Sequence, residues 1–536
     1  MVRETLHSFA HLRRASKFPT PFTCNKLLHR LTSSNCGELS LKILSHLLSK
    51  GYVPHPSSFN SVLSFLCKLG HFSFAENVVN SMPRFGSVPD VVTYNTLIDG
   101  YCKNSDIEQA CFSVNRMCLG QCRPDLVTFN IMFNTFSKLK MEKEFFVYMG
   151  LMWKCCLPNV VTYSTWVDMF CKKGDFGMGS KVFDEMVSVG VSPNFVAFTS
   201  LIDGYCKGGK VDVALKLFVE MKGFSVLPNV VTYTALIDGL CKQGKLEKAE
   251  SLFSKMLEDG VKPNSAVYTS IIDGYFTEGN TDVAMKYINK MRGQCIRLDI
   301  TTYEVIIWGF CKNGMLDKVS EVLRTMVESG LSPDKIMLTT IMDAHFKAGN
   351  LKAALEVYQD LLVRGFEPDT VTLSTLMDGL CKHGHLQDAR GYFFPEKANE
   401  ISYTVLIDGM CKEGQLGEVE TVAREMLEAG FVPDKYVYTS WIAGLCKQGK
   451  LVEAFMLKNK MVQEGVEPDL FTYSSLIFGL ANKGLMIEAK QVFDDMLKRK
   501  VSPDKAVYDI LIRGYRREEN EAAVLGLYDE MRKKGL

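Results

Sequence analysis

Long hydrophobic runs are missing: Asp, Gly, Lys or Pro interrupts every apolar stretch within a few residues, which excludes a membrane-spanning helix. An excess of one charge is missing as well. Lys and Arg total 62 against 61 Asp and Glu, a net charge of +1. A uniformly basic nucleic-acid binder is therefore excluded, and any basic surface has to be local. CxxC pairs are absent, and Cys155-Cys156 has no His or Cys companion at zinc spacing. Acidic clusters of the nuclease type are absent too, so no catalytic centre and no cofactor or metal site is expected. Cysteine itself is plentiful at 17 residues. Nine of these (Cys67, Cys102, Cys171, Cys206, Cys241, Cys311, Cys381, Cys411 and Cys446) precede a lysine at one recurring point. That placement reads as small, reduced, buried packing residues rather than a disulfide framework.

What is present is recurrence. The segment VVTYNTLIDGYCK at Val91 returns as VVTYSTWVDMFCK at Val160, VVTYTALIDGLCK at Val230 and TVTLSTLMDGLCK at Thr370. Repeats with a 35-residue period start at Pro21, Pro56, Val91, Leu126, Val160, Phe195, Val230, Ser265, Ile300, Lys335, Thr370, Glu400, Lys435, Leu470 and Lys505. Leu126–Asn159 is one residue short and Thr370–Asn399 five short. The array is expected to fill residues 21–536 without room for another domain. Residues 1–20 stand apart: Arg3, Arg13, Arg14 and Lys17 face one acid, Glu4, while Val2, Leu6 and Phe9 share a helical face. They form either an organelle-targeting segment or a short helix capping the array.

One repeat shows the physics. In Val230–Asn264, Tyr233, Leu236, Ile237 and Leu240 recur at helical spacing. Gln243-Gly244 interrupts, and Leu246, Ala249, Leu252, Phe253 and Met256 mark a second amphipathic helix. Gly260 sits where a left-handed C-cap belongs, Pro263 blocks continuation and Asn264 is a natural N-cap for the next helix. Such a hairpin has apolar surface on more than one side, so neighbours have to stack. The expected fold is an all-α superhelical solenoid.

The 35-residue period, the VTYNTLIDGYCK-like first helices, the methionines ending second helices (Met117, Met186, Met221, Met256 and Met426) and the Gly-x-x-Pro-Asp/Asn repeat ends resemble the pentatricopeptide repeat family. The resemblance runs along almost the whole chain and is nearest to the P class and its restorer-of-fertility-like members. It implies a right-handed superhelix of about fifteen helix-turn-helix repeats that bind single-stranded RNA, one base per repeat. HxE and CxxC, which mark the zinc site of deaminase-bearing members, are absent. The implied protein is not an enzyme and acts in organelle RNA metabolism, in the mitochondrion or alternatively the chloroplast. It would be a monomer, off the membrane, working with other RNA-processing proteins. A tetratricopeptide-type solenoid that binds peptides is the alternative.

Two positions carry the expected specificity. The fifth residue is polar in every repeat although its neighbours are apolar, and the closing residue is Asp or Asn in almost every one. The pairs are Asn60/Asp90, Asn95/Asp125, Asn130/Asn159, Ser164/Asn194, Thr199/Asn229, Thr234/Asn264, Thr269/Asp299, Thr339/Asp369, Ser374/Asn399, Thr404/Asp434, Thr439/Asp469 and Ser474/Asp504. Capping explains an Asp or Asn at the close without RNA; it does not explain the fifth residue. The family's correspondence turns these pairs into the site UUYAAAGNGAGGG, with Glu304/Asp334 departing from the pattern as N. Asn25/His55 and Asp509 receive no base.

Lys68, Lys103, Lys138, Lys172, Lys207, Lys242, Lys312, Lys347, Lys382, Lys412 and Lys447 recur on the polar stripe of the first helices. They read either as a phosphate-binding ribbon or as helix-surface partners of Asp four residues earlier. Thr277, Asn482 and Ser33 interrupt the row. The second residues Val92, Val127, Val161, Val196, Val231 and Val371 either clamp bases, as the family does, or pack between repeats. The aromatic row Phe59, Tyr94, Phe129, Tyr163, Phe198, Tyr233 and Tyr268 lies on the apolar face and is expected in the core.

Overall fold

The computed structural model describes residues 28, 41–45, 48, 55–119 and 122–533. The segment 1–20, Asn25 and Ser33 lie outside the described residues. Every element among the described residues is helical, and none is long and apolar enough to cross a membrane.

First helices open at Pro56, Val91, Leu126, Val160, Phe195, Val230, Ser265, Ile300, Lys335, Thr370, Glu400, Lys435, Leu470 and Lys505. The reason is local. The closing residue of one repeat is the N-cap of the next: Asn229 is extended (φ −111°, ψ 179°) and its side chain accepts from the Val231 and Thr232 amides. A cap of this kind stabilises a helix by about 1 kcal/mol. Val230–Lys242 then runs to Gly244, whose φ of +68° reverses the chain into Leu246–Glu258. Gly260, at φ +71°, ends that second helix.

The apolar faces meet as the spacing predicts. Tyr233, Leu236, Ile237 and Leu240 are buried, as are Leu246, Ala249, Leu252, Phe253 and Met256 of the partner helix. All seven rings of the aromatic row are buried, so they belong to the core. Adjacent first helices approach closely through one recurrent contact. A Cβ added to Gly239 would fall 2.6 Å from the Cys206 Cβ, and one on Gly100 would fall 2.6 Å from the Cys67 Cβ. The missing glycine side chain makes room for the thiol here, and for the Phe276 and Phe346 rings at Gly309 and Gly379. Burial, with Asp203 and Asp238 nearby, pushes the Cys206 thiol up to about 12, so it packs as an inert protonated group.

The chain divides into two compact bodies, Met1–Gly274 and Tyr275–Leu536. In the first, Val160–Lys173 packs on Phe195–Lys207, which packs on Val230–Lys242. In the second, Lys335–Lys347, Thr370–Lys382, Glu400–Glu413 and Lys435–Lys447 stack in turn. The short repeat at Thr370 loses most of its second helix, which is cut to Leu386–Gly391 followed by a 3-10 turn at Pro395–Lys397.

Candidate nucleic-acid interface

The fifth residue lies one turn inside each first helix, and in several repeats it reaches the N-cap of the following helix. In two of the asparagine repeats the contact is direct: Asn60 Nδ2 donates to Asp90 Oδ1 at 3.3 Å and Asn95 Nδ2 to Asp125 Oδ1 at 3.1 Å. Ser164 Oγ shares its one hydrogen between Asn194 Oδ1 at 3.0 Å and the Val160 carbonyl at 2.6 Å. Elsewhere a third hydroxyl bridges the two. Thr199 and Thr232 hydroxyls are 2.9 Å apart, and Thr232 Oγ1 donates to Asn229 Oδ1 at 3.1 Å. The same relay joins Thr339 through Thr372 to Asp369, Ser374 through Ser402 to Asn399, and Thr439 through Thr472 to Asp469. Between Asn130 and Asn159, Thr162 Oγ1 shares its one hydrogen between the two Oδ1 atoms, at 2.8 and 3.1 Å.

Three pairs that the sequence couples are not joined in this way: Thr234/Asn264, Thr404/Asp434 and Ser474/Asp504. The difference lies in the third residue of the next repeat. It is Val267, Val437 or Val507, which has no hydroxyl to bridge. The fifth hydroxyl bonds only its own helix, Thr234 to the Val230 carbonyl at 2.7 Å, Thr404 to Glu400 at 2.8 Å and Ser474 to Leu470 at 2.7 Å, a bond that Ser164 and Thr339 also make beside their contact across the junction. The closing residues keep only their capping bonds. Asp434 Oδ1 accepts from the Tyr436 and Val437 amides, both at 3.0 Å, and Asp504 Oδ1 from the Val507 amide at 3.0 Å. Asp434 and Asp504 therefore stand at the closing position without a hydrogen bond to the fifth residue of their own repeat.

Capping also decides which atom the closing residue presents outward. The cap consumes Oδ1 in Asn159, Asn194, Asn229, Asn264 and Asn399. What remains is the amide NH2, a donor. In a closing Asp, Asp434 and Asp504 included, the atom outside the cap is Oδ2, an acceptor. Partial burial pushes the Asp90 carboxyl up, but bonds from Thr93 and Asn60 outweigh it and hold the group below its ordinary range. Asp125 is held down in the same manner by Thr128 and Asn95. Closing Asp and Asn therefore differ in hydrogen-bonding sense at one place.

The second residues are not packed between repeats. Val92, Val127, Val161, Val196, Val231 and Val371 are all exposed, Val371 by 66%. In the first body an open cavity of about 520 Å³ gathers Val196, Val231, Thr199, Thr234, Asn229, Asp203, Asp238 and Lys207. Apolar walls, fifth residues, a closing amide and lysine thus share one concave surface.

The lysine row carries less free charge than its alignment suggests. Lys103, Lys172, Lys207, Lys242, Lys347, Lys382 and Lys412 each pair with the Asp four residues earlier, at 2.5 to 2.7 Å. These pairs are solvated and exchangeable. Lys68, Lys138 and Lys447 have Ser64, Asn134 and Ala443 in the Asp place, and no acidic partner is found for them among the described residues.

The PPR repeat family model matches residues 89–138, 158–207, 193–242, 228–274, 335–382, 398–447, 436–482 and 475–517. Related PPR repeat models match 259–292, and 57–87, 301–331, 371–394 and 506–536. The chain belongs to the pentatricopeptide (PPR) repeat family. Its fold is similar to that of the crystal structure of maize PPR10, with a TM-score of 0.63 and 22% identity over 99% of this chain and 87% of that one. PPR10 in complex with an 18-nt psaJ RNA element gives a TM-score of 0.57 at 21% identity, covering 99% of this chain and 88% of that one. No curated protein matches.

Within this PPR array three features escape sequence reasoning. The third-residue hydroxyls were legible only as the Thr of VVTY, with no hint that they join the fifth and closing residues. The exposed second-residue row extends to Ile336, Ile401, Tyr436 and Phe471, which a search for valine passes over. Lys335, a first residue, pairs with Asp369 Oδ2 at 2.5 Å, and Lys435 approaches Asp469 Oδ2 at 3.9 Å, so in these two repeats a lysine engages the second carboxylate oxygen.

Proposed function

We propose that this PPR protein is a sequence-specific, single-stranded RNA-binding protein of P-class, restorer-of-fertility-like type, serving organelle RNA metabolism in the mitochondrion or alternatively the chloroplast. It reads one base per repeat and leaves catalysis to other RNA-processing proteins. One observation carries the reading. In most repeats the fifth and closing residues are joined by a hydrogen bond or a single-hydroxyl relay, so they act on a ligand as a pair. Capping alone needs no such link. In the repeats closed by Asn264, Asp434 and Asp504 the two residues act on the base separately.

The chemistry follows from those atoms. A short Ser or Thr leaves room for a purine, and Asn fills that space and fits a pyrimidine. A closing Asp accepts from the ring N–H of guanine or uracil; the outward NH2 of a closing Asn donates to the ring nitrogen of adenine or cytosine. Exposed second residues sandwich each base, and lysines, chiefly those without an acidic partner, meet phosphates. With the N-terminal repeat at the RNA 5′ end, the site is UUYAAAGNGAGGG. Filter binding of this RNA against a shuffled RNA of equal composition tests the reading. At least tenfold tighter binding of the ordered site is expected, since one base contact is worth about 1–3 kcal/mol. Equal binding of both, or binding of neither, would overturn it, and the second outcome would favour a peptide ligand.

A further inference from the structure

The repeat Ile300–Asp334 departs from the pattern at several places together. Its fifth residue is Glu304, its second is Thr301 rather than an exposed apolar side chain, and its ninth is Trp308 where most repeats have Asp. The ninth residue faces the concave surface: Asp203 and Asp238 line the cavity beside Thr199 and Thr234, and Asp408 lines a second cavity with Tyr436 and Thr439. Trp308 takes that place and remains 38% exposed. Lys312, having no Asp at this position to pair with, places its ammonium over the indole at 4.8 Å from the ring centre and donates to the Thr277 carbonyl at 3.2 Å.

Edge recognition is poorly served here. Glu304 is bulkier than Ser or Thr, and Asp299 and Asp334 raise the negative potential around it. Met337, the third residue of the next repeat, offers no hydroxyl for a relay. A carboxylate without a fixed orientation cannot select among base edges. An exposed indole one turn further along the same face, with a cation beside it, provides a different contact. It stacks on the π-face that every base has, and the ammonium lies near the backbone phosphate.

We propose that Trp308 is a nucleobase-stacking site that holds the base opposite the Ile300–Asp334 repeat whatever its identity. This rests on the RNA-binding reading and deepens it: the N of the deduced site is a base that is required but not read.

The test uses the full-length protein and the deduced RNA with A, C, G, U or an abasic nucleotide at its eighth position. The four bases should bind wild type within about twofold, and the abasic RNA roughly tenfold more weakly. Trp308→Ala should bind the intact RNAs roughly tenfold more weakly and show no further abasic penalty, whereas Trp308→Phe should keep most of both. The inference is overturned if wild type binds abasic and intact RNA alike. It is overturned equally if the abasic penalty survives in Trp308→Ala. The wild-type arm does not depend on any variant folding. Failure of base reading itself looks different: ordered and shuffled RNAs then bind wild type equally, and the Trp308 assignment falls with it.

Discussion

Two neighbouring repeats of the first body solve one problem differently. In Phe195–Asn229 the fifth residue, Thr199, is tied through Thr232 to the closing Asn229. In Val230–Asn264 the next third residue is Val267, and Thr234 bonds only its own helix. The first arrangement lets the following repeat fix the rotamer of the fifth side chain; the second leaves that to threonine's own helix. Recognition and inter-repeat adhesion are therefore coupled at some junctions and separate at others, the junctions at Asp434 and Asp504 belonging to the second kind.

The largest expected effect separates these classes by stability. Asn95 is nearly buried and spans the junction, donating to Asp125 while Thr128 donates to it at 2.6 Å. Asn95→Ala should cost about 2 kcal/mol, from two lost bonds at a nearly buried site, Thr128 keeping its bond to Asp125. Thr404→Ala, at the relay-free junction closed by Asp434, should stay within about 0.5 kcal/mol. Urea unfolding compares them, and equal losses would dissolve the distinction.

The next effect concerns specificity. Thr199→Asn should regain the geometry of Asn130, since Thr232 is present to donate, and should move the fifth base of the site from A toward C or U. Tenfold or more discrimination should shift, corresponding to about 1–3 kcal/mol for one base contact. Thr234→Asn lacks that donor and should shift the sixth base less; adding Val267→Thr should restore the full change. Competition binding with probes differing at one base decides it, and identical shifts in both single variants would show the relay to be idle.

Smaller still is the contrast among lysines. Removing Lys138 and Lys447 together should lower the log–log salt slope of RNA binding by about 1.4, at roughly 0.7 per phosphate. Removing Lys207 and Lys242, which already face Asp203 and Asp238, should lower it less. A larger drop from the paired lysines would reverse the assignment.

The smallest effect lies with Asp369. Partial burial pushes its carboxyl up, but Lys335 and Thr372 prevail and hold it at about 2, below its ordinary 3.8. The stability it contributes is present above pH 3.8 and is lost as pH falls through about 2. Asp369→Asn should flatten the thermal-melting profile across that window, modestly because the pair is solvated. An unchanged profile would mean the ion pair contributes nothing.

The all-helical fold was legible because period, caps and turn glycines repeat in register, each strengthening the others. The Gly–Cys approach was half legible: the thiols read as buried, while the glycine opposite them needed the inter-helix distance. The interface was legible by residue type and not by state. Asp238→Lys242 spacing allows both a ribbon and an ion pair, and only the geometry places the ammonium 2.7 Å from the carboxylate. Exposure of Val92 and its counterparts depends on how first helices pack, which periodicity within one helix does not fix. The relay was hidden because it joins residues 33 apart that belong to different repeats. For the same reason Thr404/Asp434 and Ser474/Asp504 looked like the other pairs, although the deciding residues, Val437 and Val507, lie one repeat further on.

Selection from a random single-stranded RNA pool, run in parallel on wild type and Thr199→Asn, tests the central claim most directly. The account predicts enrichment of UUYAAAGNGAGGG by wild type, degenerate at its eighth base, and the same motif with the fifth base changed to C or U by the variant. No enriched motif, or a variant motif altered at several bases or at none, would contradict it.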